Sequence, residues 1–293
     1  MKQITRIIQA SIGFIICLTN QALGQSENPE SIVKNIRKEY ADGNTEKALK
    51  AATEGLKKHP GNYSLLTIRG RIYEEENQHA NAEADYTSII TENKNDAGLY
   101  QRRGVVRFFQ LKFADSLADF DKFIEMVPSQ EPYHWQRGLV HYYAGKYKAG
   151  RKQFEVHQTV NTQDVENAVW HYLCIAKIEG TKEAERNFIK ITSDSRVPLK
   201  EIHSLFSGKG TEQQVLDAIK KGNPNANTLA RNQFYGHLYL GLYFESQNEE
   251  NKAAEYIALA AKGHESHGYM GQVARVHHEW LQKKSKQKEA KKQ

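Results

Sequence analysis

The sequence predicts an all-α solenoid, a right-handed superhelix of stacked helix hairpins closed by C-terminal capping helices, and three observations predict it. First, a pattern recurs every 34 residues over residues 29–196, five times without insertion or deletion, in blocks opening at Pro29, Tyr63, Ala97, Glu131 and Val165. Second, three positions obey a rule of size. The eighth reads Ile36, Gly70, Gly104, Gly138, Tyr172; the twentieth Ala48, Ala82, Ser116, Gly150, Ala184; the twenty-fourth Ala52, Tyr86, Phe120, Phe154, Phe188. Third, each block carries two apolar stripes at helical spacing with a turn between them. Two helices of about a dozen residues cannot bury such stripes alone and need a neighbouring pair. The small residues at eight and twenty let the helices of a pair approach, and the aromatic at twenty-four is expected to fill the space between that pair and the next.

The elements follow in order. Asn28 and Pro29 read as a cap and first helical residue, and Ile32, Val33, Ile36 and Tyr40 give the first helix its apolar face. Gly43 and Asn44 turn the chain; Ala48, Leu49, Ala52 and Leu56 carry the second helix to Pro60 and Gly61. Block two repeats this with Leu65, Leu66 and Tyr73, then Ala82, Tyr86, Ile89 and Ile90. Blocks three and four are the most aromatic, and block five offers Trp170, Tyr172, Leu173, Ile175 and Phe188. Beyond Arg196 the period fails. Two shorter helices are predicted at Leu199–Phe206 and 211–221, the second opened by a capping box of Thr211 and Gln214. The Gly208-Lys209-Gly210 turn between them lacks the upstream glycine, the following hydroxyl and the preceding strand of a phosphate loop. Asn223-Pro224-Asn225 breaks the chain, and from Phe234 a sixth block places Gly241 at position eight, Ala253 at twenty and Ile257 at twenty-four. A final helix over 269–282, with Val273, Val276 and Trp280 on one stripe, is expected to cap the stack.

A 34-residue period with these residues resembles the tetratricopeptide repeat family, as do Arg69, Arg103 and Arg137 before the eighth position and Pro60 and Pro128 at the thirty-second. The resemblance implies a tetratricopeptide-repeat right-handed superhelix (an α-solenoid) in which the first helices line a concave side, with positions two, five, nine and twelve pointing into it.

Residues 1–24 read as a signal peptide: Lys2 and Arg6, an apolar run over 7–18 too short to span a bilayer comfortably, then Ala22 and Gly24 as small residues before a mature start at Gln25. Cys17 does not make a lipidation site, because Ile15 and Ile16 stand where a small residue is required. The chain is therefore expected to be exported, periplasmic or secreted, with no integral membrane segment after cleavage. Residues 25–196 hold five helix pairs, 197–281 the short helices, the sixth pair and the cap, and 282–293 a lysine-rich tail. Of the net charge of +6, the leader carries +2 and the tail +5, which leaves the body near −1 and without a general nucleic-acid footprint. The tail reads as a solvated extension or an anionic-surface tether. After cleavage Cys174 is the only cysteine, so no internal disulfide can form, and it reads as a buried small hydrophobe.

The concave positions give a candidate partner-binding groove of Arg71, Glu74, Gln101, Val105, Phe108, Trp135, Leu139, Tyr142, Val169 and Leu173, polar at one end and apolar in the middle. An open apolar stretch would suit a protein or peptide client; equally, the chain's own last helices could lie in it, with Trp280 among them. The landmarks Trp135-Gln136-Arg137-Gly138, Val169 to Leu173, Asn232-Gln233-Phe234-Tyr235 and Leu240-Gly241-Leu242-Tyr243 resemble, over residues 131–281, the new lipoprotein I family of bacterial envelope proteins. That resemblance implies a non-catalytic adaptor, a homodimer, and envelope hydrolases or a protease as clients, while the absent lipidated cysteine removes the family's membrane anchor. No cofactor, metal or catalytic residue is expected. The rival enzyme reading would place zinc or hydrolytic chemistry on residues 264–278 with His264, His267, His277 and His278, although no metalloprotease pattern accompanies them. His171 and Cys174 stand three apart on a helix without an activating partner, so a thiol dyad is not expected. A third reading is self-assembly, with the groove receiving a neighbouring copy.

Overall fold

The computed structural model describes residues 28–291, so the leader expected over 1–24 lies outside the described residues. The period survives as helix starts. The first five pairs are α1 Pro29–Ala41 with α2 Thr45–Lys58, α3 Tyr63–Glu75 with α4 His79–Glu92, α5 Ala97–Phe109 with α6 Phe113–Met126, α7 Trp135–Tyr143 with α8 Tyr147–His157, and α9 Val165–Glu179 with α10 Thr181–Arg186. The short helices α11 Leu199–Phe206 and α12 Glu212–Lys220 follow, then α13 Ala226–Ser246 with α14 Glu250–Ala261, and α15 Gly268–Ala290. Among the described residues there is no strand. The first helices are capped from the same place in successive blocks: the side chains of Asn28, Asn62, Asp96 and Asp164 accept from the N–H groups of Glu30, Leu65, Leu99 and Glu166. Block four starts late, at Trp135, because Pro128–Tyr133 forms a 3-10 turn around Pro132, which has no N–H to give an α-helix.

The large side chain at position twenty-four serves both sides of its pair: it lies on the glycine at position eight, and Phe120 also meets the His134 ring at the start of the next block at 4.6 Å. A Cβ on Gly70 would stand 2.8 Å from the Tyr86 ring, one on Gly104 2.5 Å from Phe120, one on Gly138 2.7 Å from Phe154, and one on Gly241 2.6 Å from Ile257. Block five shows the converse. Tyr172 replaces the glycine, leaves no notch, and meets Phe188 edge-on at 5.8 Å; α10 ends at Arg186, before the residue that would have been its knob. The arginines before position eight join neighbouring blocks. Arg69 holds Asp85 of its own block through two nitrogens and Thr53 of the block before, and Arg103 repeats this with Asp119 and Thr87. In block four Arg137 bonds Gln153 and reaches back to Asp121. His171 takes the place in block five, with Nε2 3.5 Å from Glu155.

Two further bounds differ from expectation. Helix α13 begins eight residues before Phe234, because Asn225 caps it by accepting from the Thr228 N–H. Helix α15 runs through the lysine tail to Ala290 rather than stopping near 282; Lys284 lies 3.4 Å from the centre of the Trp280 ring and Lys288 pairs with Glu250. The largest apolar core runs from Val105 to Val276, and two smaller clusters join blocks one and two, and blocks two and three.

Gly104→Val, which drives a branched side chain into Phe120, should destabilise the chain by about 1–3 kcal/mol, and Phe120→Ala by about 3–5 kcal/mol. If the notch is the constraint, urea unfolding of the double variant recovers at least about 1 kcal/mol relative to the sum. Strict additivity would show that ring and glycine do not meet.

Candidate functional site

The four inward positions of each first helix assemble one long face, and the structure divides it in two. At the N-terminal end the face is open. A cavity of about 350 Å³ lies between α1 and α3, lined by Arg37, Tyr40, Tyr63, Ser64, Thr67 and Arg71 among others. Arg71 is exposed, whereas Glu74 accepts from the Tyr86 hydroxyl and pairs with Arg102 at 3.0 Å. Gln101 is half-buried and contacts the His134 ring.

In the middle, of the two arrangements the sequence left open, the structure has the chain's own last helix over the groove. Val105 is buried, Phe108, Leu139, Tyr142, Val169 and Leu173 are each at most 1% exposed, and Trp135 is half-buried. For Phe108, Trp135 and Tyr142 the physical reason is α15, whose aromatic residues lie against these rings; Val169 and Leu173 belong to α9, which packs against α8, α11 and α13. Tyr269 stacks on Phe108 at 6.2 Å and meets Phe109 at 5.1 Å and Trp135 at 4.9 Å, while Trp280 meets Tyr143 at 5.4 Å and Tyr142 at 6.4 Å. Polar contacts fix the helix along its length. Gln272 donates to Asn77 at 2.8 Å, and Arg275 donates to the Phe109 carbonyl at 2.7 Å.

Beneath α15 sits a buried ionic contact. Nε2 of His277 lies 3.0 Å from Glu245 and its Nδ1 lies 2.9 Å from the Tyr143 hydroxyl, while Lys177 approaches Glu245 at 3.2 Å. Burial alone would raise the Glu245 carboxyl; His277 and Lys177 outweigh it and hold the group down to about 2.

One feature escaped the sequence reading. Arg196, which only marked the end of the period, binds Asp164, Glu166 and Asp194 together, and the Tyr239 hydroxyl also donates to Glu166. Burial pushes the Glu166 carboxyl up to about 7; Arg196 opposes this and Asp164 adds to it. The acidic spacing of Asp164 and Glu166 at a helix start was visible, but the partner 30 residues on was not. The four histidines of 264–278 do not converge: His264 and His267 lie in a 3-10 turn, His277 faces Glu245, and His278 lies beside Gln282. Among the described residues no group of three or more His, Cys, Asp or Glu could hold a metal ion, and no helix is long and apolar enough to cross a membrane. Cys174 is fully buried against Gly150, where a Cβ would stand 2.9 Å from Sγ, and burial pushes its thiol up, away from the reactive thiolate.

A carboxyl held low in the folded state contributes stability above its unfolded value near 4.5 and loses it as pH falls through about 2. Chemical unfolding followed by tryptophan fluorescence should show the native chain losing roughly 2–4 kcal/mol across that window. Glu245→Gln should be less stable at neutral pH and flatter over the same window. Parallel curves would remove the contact from the account.

With this geometry in place, the comparisons can be stated. Residues 34–97 match the tetratricopeptide repeat family model. In structure the chain is similar to a tetratricopeptide repeat protein from Parabacteroides merdae ATCC 43184, with a TM-score of 0.57 at 20% identity over 88% of this chain and 100% of that one. It is also similar to the MamA protein, with a TM-score of 0.50 at 16% identity over 54% of this chain and 86% of that one. At these identities the likeness is one of fold, and that fold is an all-α tetratricopeptide-repeat superhelix whose last helix occupies its own concave face.

Proposed function

We propose that the chain is an exported, non-catalytic scaffold that docks protein or peptide partners on the open N-terminal part of its concave face. The observation that carries this reading is the change along one face: Phe108, Trp135 and Tyr142 of blocks three and four lie against α15, while Arg37, Thr67 and Arg71 of blocks one and two line an open cavity. The match to the repeat family over residues 34–97 falls on the same blocks. Export rests on the leader pattern of residues 1–24, and an envelope setting, with hydrolases or a protease as clients, on the resemblance of residues 131–281.

Arg37 and Arg71 are exposed and, among the described residues, make no hydrogen bond or ion pair. Affinity capture from the cell envelope with the mature chain and with Arg37→Ala plus Arg71→Ala should therefore lose at least about tenfold of the specific partner. Unfolding should stay within about 0.5 kcal/mol, as for other surface changes. Undiminished capture would move the docking surface elsewhere.

A further inference from the structure

A cavity of about 430 Å³ lies where the end of α9, the turn from α13 into α14 and the last part of α15 meet. Its charged lining is lopsided: Lys177, Lys284, Lys288 and Lys291 stand against Glu245 and Glu250, which leaves it at +2. Both carboxylates are already matched. Lys177 lies 3.2 Å from Glu245, which His277 also holds, and Lys288 pairs with Glu250. Lys284 has no such partner. It is half-buried, its Nζ rests 3.4 Å from the centre of the Trp280 ring, and among the described residues it makes no ion pair. Burial pushes the Lys284 ammonium below the usual lysine value; Glu245 opposes this, Lys177 and Lys288 add to it, and Glu250 opposes it. The charged groups that act on Lys284 are thus other members of the same lining, which puts its Nζ among their heads. A half-buried ammonium beside like charges is an unfavourable arrangement that an anion in the cavity relieves.

The residue types narrow the choice of anion. The lining contains no arginine, whereas a planar carboxylate is matched best by the paired N–H groups of a guanidinium. Ammoniums act as point charges, and these come from separate helices, Lys177 from α9 and Lys284 and Lys288 from α15. They suit an anion whose oxygens point in several directions. Asn248, Asn251 and Ser285 add neutral donors, and Ala254 and Leu281 give the carbon-bearing side of an ester an apolar contact. A phosphate monoester carries about two negative charges at neutral pH, which matches the charge of the lining.

We propose that the cavity between α9, α14 and α15 is a binding site for a phosphate monoester, in which Lys284 supplies the unpaired cation and Lys177 and Lys288 flank it. The site is separate from the docking function proposed above, since none of its residues lines the cavity beside Arg37 and Arg71. The chemistry is the same for a soluble ester and for a lipid headgroup, and the arms of the test separate these sources.

The test titrates the full mature chain with glycerol 3-phosphate and with acetate at constant ionic strength, followed by the indole N–H signals in proton–nitrogen NMR. Trp280 is one of three tryptophans, so its signal is assigned by Trp280→Phe. Glycerol 3-phosphate should move the Trp280 signal to saturation, because the phosphate draws the Lys284 ammonium off the ring, and acetate should bind at least about tenfold more weakly. Lys284→Gln should weaken glycerol 3-phosphate at least about tenfold. Lys286→Gln, which removes the same charge from the same helix outside the lining, should change it less than about twofold. An unmoved Trp280 signal at about 10 mM glycerol 3-phosphate, or equal binding of acetate by the unmodified chain, would overturn the proposal without relying on a variant that could misfold. Equal losses from Lys284→Gln and Lys286→Gln would also overturn it, since only the general charge of the tail would then be at work. Vesicles of phosphatidic acid in phosphatidylcholine form the second arm. Co-sedimentation lost with Lys284→Gln and kept with Lys286→Gln assigns the phosphate to a lipid; any other sedimentation result, with glycerol 3-phosphate binding intact, assigns it to a soluble ester.

Discussion

Hairpins of this length expose an apolar stripe wherever a neighbour is missing, and the first helices of blocks three to five carry such a stripe along the inside of the curve. Rings as large as Phe108, Tyr142 and Trp170 cannot be left facing water without a patch large enough to drive association. Helix α15 meets that requirement from within the chain. Its stripe of Tyr269, Val273, Val276 and Trp280 covers the exposed rings, and its polar residues reach Asn77 at one end and Glu245 at the other. The rest of the architecture follows from this seat: the buried ionic contact, the extended tail helix, and the confinement of open concave surface to the N-terminal blocks.

Two local devices make the repeat unit stiff enough to present such a face. The knob on glycine sets the spacing within a pair, and the arginine that spans Asp85 and Thr53, or Asp119 and Thr87, sets the register between pairs. Side-chain exposures of 12% for Arg103 and 4% for Asp119 make the second of these a buried pair, whose loss on one side leaves an uncompensated charge. At Tyr172 and His171 of block five both devices are absent, α10 is short, and α11 and α12 follow.

Much of this was legible in the sequence. A strict period fixes helix starts, so α3, α5 and α9 open at the residues that open their blocks, and the capping box at Thr211 is present. The aromatic knobs were placed against the next pair, where Phe120 does meet His134, but their seat on the glycine of their own pair was not foreseen, because spacing assigns a ring to a helix and not to every surface it touches. The seat of α15 is non-local: Gln272 and Asn77 are 195 residues apart, and Trp280 suited a terminal cap and a groove filler alike. Of the candidate groove, Arg71 remained on open surface while Phe108, Leu139 and Tyr142 became core, a division set by how far one helix reaches.

A chain that carries its own filler has an inner surface of fixed extent, left open at the N-terminal end. Hydrogen exchange resolved along α15 tests the seat most directly. If the helix is docked as described, the amides of residues 272–277 exchange as slowly as those in the middle of α9, by global opening, while those of 283–290 exchange far faster. Equal, rapid exchange along the whole of α15 would mean that the helix does not occupy the groove, and the concave face would then have to be read as open throughout.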